Sequence, residues 1–258
     1  MSGLLSLQDI TAGYAGHEVV KGASLSVEAG EFCALLGLNG CGKTTLLRAA
    51  CGLLPQQGGR CTVQQQDCTH LDERRRACLM SYIPQRGSLI MGKTVLEVVL
   101  MGFNPRLRLL DSPGETHKKA ALENLDRLGL LALAGRDYAQ LSEGQKQLVI
   151  LARALSQDTP VMLMDEPDSA LDFVNRTMVL DKVRNVLQSQ GRAGLISLHD
   201  PNFAMAYCDR LLLMKNGTIG RELTLKDASR EEVASALSWI YGEICVLEHQ
   251  GRFVMVHA

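Results

Sequence analysis

Residues 37–45 read Gly-Leu-Asn-Gly-Cys-Gly-Lys-Thr-Thr and match the G-x4-G-K-T pattern of a phosphate-binding loop. The apolar run 31–36, typical of a strand buried in a parallel sheet, precedes the loop, and the helix-like stretch 46–54 follows it. Glycines let backbone N–H groups curl around phosphates, and the helix N-terminus adds positive potential. We expect Lys43 to contact the β- and γ-phosphates of a nucleotide and the Thr44 hydroxyl to bind Mg²⁺. The other loop residues expected to contact the nucleotide are Gly37, Leu38, Asn39, Gly40, Cys41, Gly42 and Thr45.

The segments on either side of this loop alternate between strand and helix patterns. Apolar runs of strand length lie at 161–164, 194–198 and 211–214. Leucines spaced by three residues at 122–131, and the pattern of 148–155, are typical of amphipathic helices. Near the N-terminus, alternation at 5–10, 19–20 and 25–27 predicts short antiparallel strands. We therefore expect one α/β domain over 1–258, with a mostly parallel core (about 1–85 and 156–258), an N-terminal antiparallel β region and a helical subdomain inserted at about 86–155.

Polar residues with catalytic chemistry follow the predicted strands. Asp165 and Glu166 end the run 161–164, and ligands gather at the carboxyl ends of strands in an open parallel sheet. Asp165 suits a Mg²⁺ ion held through water, and Glu166 can orient and deprotonate an attacking water. At two other strand ends, His199 is expected to reach the γ-phosphate and Gln85 to contact Mg²⁺. From the residues alone, a structural role for His199 and a solvent-facing role for Gln85 also remain open.

The segment Leu-Ser-Glu-Gly-Gln at 141–145 is the most discriminating part of the sequence. Ser142 followed three residues later by Gln145 is a capping box that begins a helix. A helix N-terminus with a serine hydroxyl and the backbone of Gly144 is also suited to bind an anion. The chain thus has two helix starts suited to phosphate, while one nucleotide needs a single loop. Two copies arranged head to tail would place each nucleotide between both.

Composition excludes several classes of function. With 27 Lys and Arg against 28 Asp and Glu, the net charge of −1 argues against a dedicated nucleic-acid binder. We see no apolar stretch near the roughly 20 residues that a membrane span needs, and no signal peptide, so we expect a protein that stays where it is made. A membrane role would then require a partner.

The cysteines predict neither disulfides nor zinc. Eight are present without a C-x-x-C pair or a histidine at zinc-finger spacing, so we interpret them as isolated thiols in a reducing compartment. Cys41 is the exception because it lies at a helix N-terminus beside Lys43. That position predicts a lowered pKa, and we expect alkylation of this thiol to block nucleotide binding.

In their order and spacing, these segments resemble the nucleotide-binding subunit of ABC transporters over essentially the whole chain. Residues 37–45 resemble the Walker A segment, 161–167 the Walker B strand with Glu166 as catalytic residue, and 141–145 the signature usually written LSGGQ. Residues 169–172, ending in Asp172, resemble the D-loop; Gln85 resembles the Q-loop and His199 the switch histidine. Tyr14 stands where the family stacks an aromatic ring on adenine. Asp168, where many relatives carry Thr, departs from the pattern without replacing a ligand.

The resemblance implies a P-loop NTPase fold of RecA-like type and ATP hydrolysis with Mg²⁺. It also implies a homodimer that holds two ATP molecules between Walker A of one subunit and the signature of the other. Residues 141–172 and the tail from Trp239 are similar to ATPases of bacterial iron-chelate, haem and cobalamin importers. In those systems the dimer works on the cytoplasmic face of the inner membrane, drives integral permease subunits and depends indirectly on a substrate-binding protein.

Two other functions remain open at this point. Soluble ABC proteins in translation or DNA repair usually carry two cassettes or a long coiled-coil insertion, and neither is visible in these 258 residues. An exporter ATPase is disfavoured by the similarity of the tail.

Overall fold

The computed structural model describes residues 3–85, 90–108, 110–169 and 171–257. The strands are β1 (Leu5–Tyr14), β2 (His17–Val27), β3 (Phe32–Leu36), β4 (Gly58–Val63), β5 (Gln66–Asp67), β6 (Met80–Ile83), β7 (Val161–Asp165), β8 (Ala193–Ser197), β9 (Arg210–Lys215), β10 (Thr218–Thr224), β11 (Ile244–His249) and β12 (Arg252–His257). The α-helices are α1 (Lys43–Ala50), α2 (Glu73–Ala77), α3 (Val95–Leu100), α4 (Glu115–Arg127), α5 (Glu143–Ser156), α6 (Phe173–Gln190), α7 (Pro201–Tyr207) and α8 (Arg230–Tyr241). Short 3₁₀ helices lie at Met101–Arg106, Leu131–Leu133 and Tyr138–Gln140.

The central sheet has six strands in the order β10-β9-β3-β8-β7-β6. Neighbouring strands are parallel except for the antiparallel pair β9–β10 at one edge. Since parallel strands end at the same edge of a sheet, the segments that follow β3, β6, β7 and β8 lie together. The predicted parallel α/β core is confirmed, and this edge carries the candidate site.

A second sheet is antiparallel, in the order β2-β1-β4-β5. It confirms the predicted N-terminal β region and adds residues 58–67, which lie beyond the phosphate-binding loop. The expectation of short strands was wrong, because β1 has 10 residues and β2 has 11. The register of the pair shifts between Leu7 and Ile10, where Asp9 has φ 50°, and again between Ile10 and Thr11, where Gly22 of β2 has φ 73°. Each bulge breaks the apolar alternation of the sequence although the strand itself continues, which is why the pattern predicted shorter strands.

Strand β3 divides the apolar interior into two layers, because successive side chains of a strand point to opposite faces. Cys33 and Leu35 belong to a layer that includes Leu46 of α1 and the inner face of the antiparallel sheet. Phe32, Ala34 and Leu36 belong to the other layer, which contains the remaining large helices. Helix α1 is therefore packed between the two sheets. The phosphate-binding loop is held between β3, which precedes it, and α1, which follows it.

Helices α3, α4 and α5 lie between β6 and β7, where the helical subdomain is predicted. Their buried residues, among them Val98, Leu125 and Leu151, pack into the same layer as Phe32 of β3. Residues 86–89, which open the predicted subdomain, and residue 109 within it lie outside the described residues. The limits 86 and 155 remain a prediction.

Two predicted helix limits were wrong. The helix expected at 46–54 spans Lys43–Ala50, and Gly52 follows it with φ 76°. The helix expected over 122–131 ends at Arg127, because Gly129 has φ 74° and the chain re-forms as a 3₁₀ turn. In both cases a glycine in the left-handed region ends a helix whose apolar spacing continues past it.

The C-terminal region adds a feature that the sequence patterns did not predict, the hairpin β11–β12. Asn202 of α7 attaches it to the core: Oδ1 accepts a hydrogen bond from the N–H of Met255 at 2.7 Å, and Nδ2 donates to its carbonyl at 3.2 Å. Across the part of the chain that the structure describes, no helix is long and apolar enough to cross a bilayer.

Candidate functional site

The phosphate-binding loop is shaped by close backbone contacts. A Cβ on Gly37 would lie 2.4 Å from the carbonyl oxygen of Met214, so only glycine fits there. Gly42, directly before α1, has φ 113°, a conformation that L side chains rarely adopt. Lys43 is 5% exposed, and its Nζ donates to the carbonyl oxygen of Gly37 at 2.8 Å. The lysine charge is therefore held at the rim of the loop, where a phosphate would bind.

Asp165 is the centre of a hydrogen-bond cluster at the end of β7. Its Oδ1 accepts from Thr44 Oγ1 and from Ser197 Oγ, both at 2.9 Å, and its Oδ2 accepts from the Tyr82 hydroxyl at 3.1 Å. Burial, together with the charge of Asp165, raises the pKa of Tyr82, so this hydroxyl stays protonated and donates. A carboxylate beside a hydroxyl provides the hard oxygen ligands that Mg²⁺ prefers, so these residues fit the ion.

Glu166 connects three predicted site residues. Its Oε2 accepts from Gln85 Nε2 at 2.5 Å and lies 2.6 Å from His199 Nε2, while its Oε1 lies 4.0 Å from Lys43 Nζ. The carboxylate is buried. The structure thus brings together residues separated by up to 156 positions, Lys43 and His199.

The backbone of Glu166 is strained, with φ 45° in the left-handed region. Its N–H lies within hydrogen-bond distance of two atoms of Ser197, Oγ at 3.0 Å and the carbonyl oxygen at 3.2 Å. Ser197 therefore holds both the strained N–H of Glu166 and the carboxylate of Asp165. This conformation turns the Glu166 side chain towards Gln85 and His199.

The signature segment begins α5, as predicted. Ser142 Oγ accepts from the Gln145 N–H at 3.3 Å, and Gln145 Oε1 accepts from the Ser142 N–H at 3.1 Å. Gly144 packs so closely on α6 that a Cβ would lie 3.0 Å from Asn175 Cγ. Asp172 caps α6 and accepts from the Asn175 N–H at 2.8 Å. The signature and the D-loop are therefore neighbours.

Within the described residues, no hydrogen bond joins Ser142, Gly144, Gln145 or Asp172 to the loop 37–45. Ala170, the second residue of the D-loop segment, lies outside the described residues. Tyr14, at the end of β1, is 45% exposed, so its ring is accessible to an adenine base. The predicted residues thus form one connected group around Glu166 and a separate one at the start of α5.

The expected pKa of Cys41 was wrong. Burial raises the pKa of this thiol and outweighs the opposing charge of Lys43, because taking a thiolate out of water costs more than the nearby lysine returns. The Sγ atom faces into the loop, 2.5 Å from where a Cβ on Gly37 would lie. Its position beside a lysine and a helix N-terminus predicted a reactive thiol, but burial by the surrounding residues raises its pKa instead.

Sequence reasoning missed Ser197 and Tyr82, which hold Asp165 in place. The signal was present, since each is a polar residue inside a mostly buried strand, three or fewer positions before a predicted site residue. Buried polar side chains are normally hydrogen-bonded, so a serine fully enclosed in β8 implies a partner. The identity of that partner depends on the order of the strands.

The family model described as ABC transporter matches residues 20–169. This range includes the phosphate-binding loop, the signature segment and the Asp165–Glu166 pair. The chain belongs to the ABC transporter family. Members of this family bind and hydrolyse ATP, and the chain is an ATPase.

Similar proteins extend the likeness beyond this range. The hemin import ATP-binding protein of Shewanella denitrificans is 34% identical over 243 residues, which are 92% of this chain and 94% of that protein. A metal-chelate type ABC transporter in an inward-facing conformation is 27% identical, with a TM-score of 0.82 over 99% of this chain and 97% of that one. A dimeric bacterial ABC transporter cassette is 28% identical, with a TM-score of 0.77 over 87% of this chain and 100% of that one.

Proposed function

We propose that this ATPase powers the uptake of a metal chelate, of the iron–siderophore, haem or cobalamin type, through an ABC importer in the cytoplasmic membrane. The name of the hemin import relative and the metal-chelate transporter of similar structure support this class of cargo. The observation that carries the catalytic part is the Glu166 carboxylate, which contacts Gln85 and His199 beside the phosphate-binding loop.

Hydrolysis requires a water oxygen to attack the γ-phosphorus while the bond to the β-phosphate oxygen breaks and the water loses a proton. We assign the base to Glu166 Oε1, because Oε2 already contacts the amide of Gln85 and the imidazole of His199. The Lys43 ammonium and the N–H groups of residues 37–45 neutralise charge on the β- and γ-phosphates. His199 keeps Glu166 oriented and senses the γ-phosphate.

Mg²⁺ fits beside this base. Thr44, Gln85 and Asp165 would hold it, Asp165 through water. When bound, the ion neutralises charge on the β- and γ-phosphate oxygens. Ser197 and Tyr82 keep the Asp165 carboxylate oriented for that role.

The working unit is a homodimer with two ATP molecules in its interface. Tyr14 stacks on adenine, and residues 37–45 bind the phosphates in one subunit, while Ser142, Gly144, Gln145 and Asp172 of the other subunit close the site. Support comes from the capped start of α5, which presents N–H groups to an anion, and from the dimeric cassette of similar structure. Each site is then completed by the partner.

The dimer acts peripherally on the cytoplasmic face of the bacterial inner membrane. It binds two integral permease subunits through the Gln85 loop and the segment after it, and a substrate-binding protein delivers the cargo to the permease. ATP and ADP shift the permease between states by binding those states differently. The ATPase itself need not contact the cargo, and we assign it no nucleic-acid partner.

This function is tested with the complete complex, reconstituted with its own permease and binding protein. ATP hydrolysis is measured with a ferric chelate, haem or a corrinoid, and with simple sugars, amino acids and phosphate as controls. We expect stimulation by one metal chelate and none by the controls, with the Glu166→Gln complex as the blank for contaminating activity. Stimulation by a control compound alone would contradict the cargo class and leave the ATPase activity in place.

A further inference from the structure

Asp168 is the residue that departs from the family pattern, and it lies in a tight turn two residues after Glu166. The Ser169 N–H donates to the Glu166 carbonyl at 3.2 Å, and the Leu171 N–H donates to the Asp168 carbonyl at 3.0 Å. The Asp168 side chain is 6% exposed, although it is a carboxylate and has no place in the proposed ATP or Mg²⁺ contacts. A buried charge of this kind requires a partner.

That partner is Arg176, on the first turns of α6. Its Nε lies 3.2 Å from Asp168 Oδ2, and its guanidinium stacks over the ring of Phe203, with Cζ 4.8 Å from the ring centre. In the described part of the chain, this Nε makes no hydrogen bond of good geometry, so charge and stacking hold the pair. Burial raises the pKa of Asp168, and the charge of Arg176 opposes this shift.

The pair connects the two segments that carry the proposed base and its histidine. Asp168 is two residues after Glu166, and Phe203 lies on α7, which begins two residues after His199. His199 Nε2 in turn lies 2.6 Å from Glu166 Oε2. Three side-chain contacts, Asp168–Arg176, Arg176–Phe203 and His199–Glu166, therefore join the segment after Glu166 to the segment after His199 in a closed ring of contacts.

The start of α6 belongs to the same ring of contacts. Phe173, its first residue, lies 5.5 Å from Phe203 between ring centres, and Asp172 of the D-loop immediately precedes it. A displacement of α6 would therefore move the segments that carry Glu166 and His199.

We propose that Asp168 and Arg176 are positioning residues that hold the loop after Glu166 against the start of α7, and so set the rate of ATP hydrolysis without contacting the nucleotide. This inference rests on the proposed roles of Glu166 and His199. Removing one partner leaves a buried charge without compensation, while removing both charges is milder. The two residues should therefore behave as one unit.

The test measures kcat and KM for ATP hydrolysis by the full chain and its variants. We expect Asp168→Asn and Arg176→Met each to lower kcat about tenfold with KM changed less than about twofold, because residues that act as a unit affect one step together. The double variant should be no slower than either single variant, whereas independent effects would multiply to about a hundredfold. Arg176→Lys keeps the charge and should recover part of kcat.

The matched control is another ion pair, Arg210 with Glu31, whose Nε–Oε1 distance is 2.7 Å. It joins the starts of β9 and β3, at the end of the central sheet opposite to the site. Arg210→Met should lower thermal stability and leave kcat unchanged. If Asp168→Asn does not fold, the Arg176→Lys and Arg176→Met variants carry the comparison.

The outcomes separate this inference from the proposed function. Unchanged kcat in both single variants, or losses that multiply in the double variant, would overturn the positioning role alone. A loss of kcat in Arg210→Met equal to that in Asp168→Asn would reduce the pair to ordinary structural support. Absence of hydrolysis by the unchanged chain would overturn the proposed function together with this inference.

Discussion

The sheet edge around Glu166 and the start of α5 around Ser142 are both predicted to bind the same nucleotide, yet their contacts differ. At the sheet edge, five other side chains lie within about 3.1 Å of the Asp165 and Glu166 carboxylates, and they come from segments up to 155 positions apart, Thr44 to His199. At the start of α5, the hydrogen bonds of Ser142 run to Gln145 and Lys146, three and four residues away. The first region is assembled from distant segments of one chain. The second is a helix N-terminus whose proposed nucleotide is bound by the loop of a second subunit.

The strongest test of this contrast is Glu166→Gln. The amide keeps the size of the side chain but cannot accept a proton, and a general base contributes about 10²–10⁴ in rate. We expect phosphate release to fall by that factor while bound ATP persists and stabilises the dimer, as measured by nucleotide binding and sedimentation. Glu232→Gln, in the capping box of α8 and outside the proposed site, serves as the control. Near-normal turnover would remove Glu166 from the role of base.

The second test asks whether the start of α5 acts in the partner subunit. Lys43→Ala disrupts the phosphate-binding loop and leaves the signature intact, whereas Ser142→Arg does the reverse. Neither variant alone should form dimers with ATP, but the mixture should form some, because a mixed dimer contains one intact site. Analytical ultracentrifugation with ATP measures this. Normal dimers and hydrolysis by Ser142→Arg alone would show that the signature segment is only a helix cap.

A third test concerns the organisation of the sheet edge. Ser197→Ala removes the hydroxyl that donates a hydrogen bond to Asp165 Oδ1 and accepts one from the Glu166 N–H, with an N–Oγ distance of 3.0 Å. Hydrogen bonds to charged groups contribute about 1.5–3 kcal/mol. We expect kcat to fall about tenfold or more. The control is Ser81→Ala, an equally buried serine on β6 whose hydroxyl donates only to the Val161 carbonyl, at 3.4 Å. Equal losses in both variants would argue against a specific role for Ser197.

The smallest expected effect is a shift in the pH dependence of Cys41 alkylation. Its raised pKa means that the thiolate forms at higher pH than in an ordinary cysteine, so the alkylation rate should rise only at correspondingly higher pH. Cys245 is exposed and provides the internal comparison for accessibility. Mass spectrometry at several pH values measures both sites. Modification of Cys41, once complete, should block ATP binding; full binding by the modified protein would contradict this.

Much of the fold was predictable because its signals are local. The apolar runs at 161–164, 194–198 and 211–214 correspond to β7, β8 and β9, since a strand buried on both faces needs an uninterrupted apolar stretch. Predictions failed where the backbone departs from regular geometry, as at Asp9 in β1 and Gly129 after α4. The hairpin β11–β12 was not predicted, because its position depends on Asn202, about 50 residues earlier.

The sequence by itself determined the phosphate-binding loop, the residues that follow each strand and the capped start of α5, because neighbouring residues specify each of these. Only the tertiary structure decided that Ser197 and Tyr82 hold Asp165, that Asp168 pairs with Arg176 over Phe203, and that burial raises the pKa of Cys41. Hydrogen bonds between distant segments and the desolvation of a charge both depend on which strands and helices become neighbours. That order is a property of the folded chain.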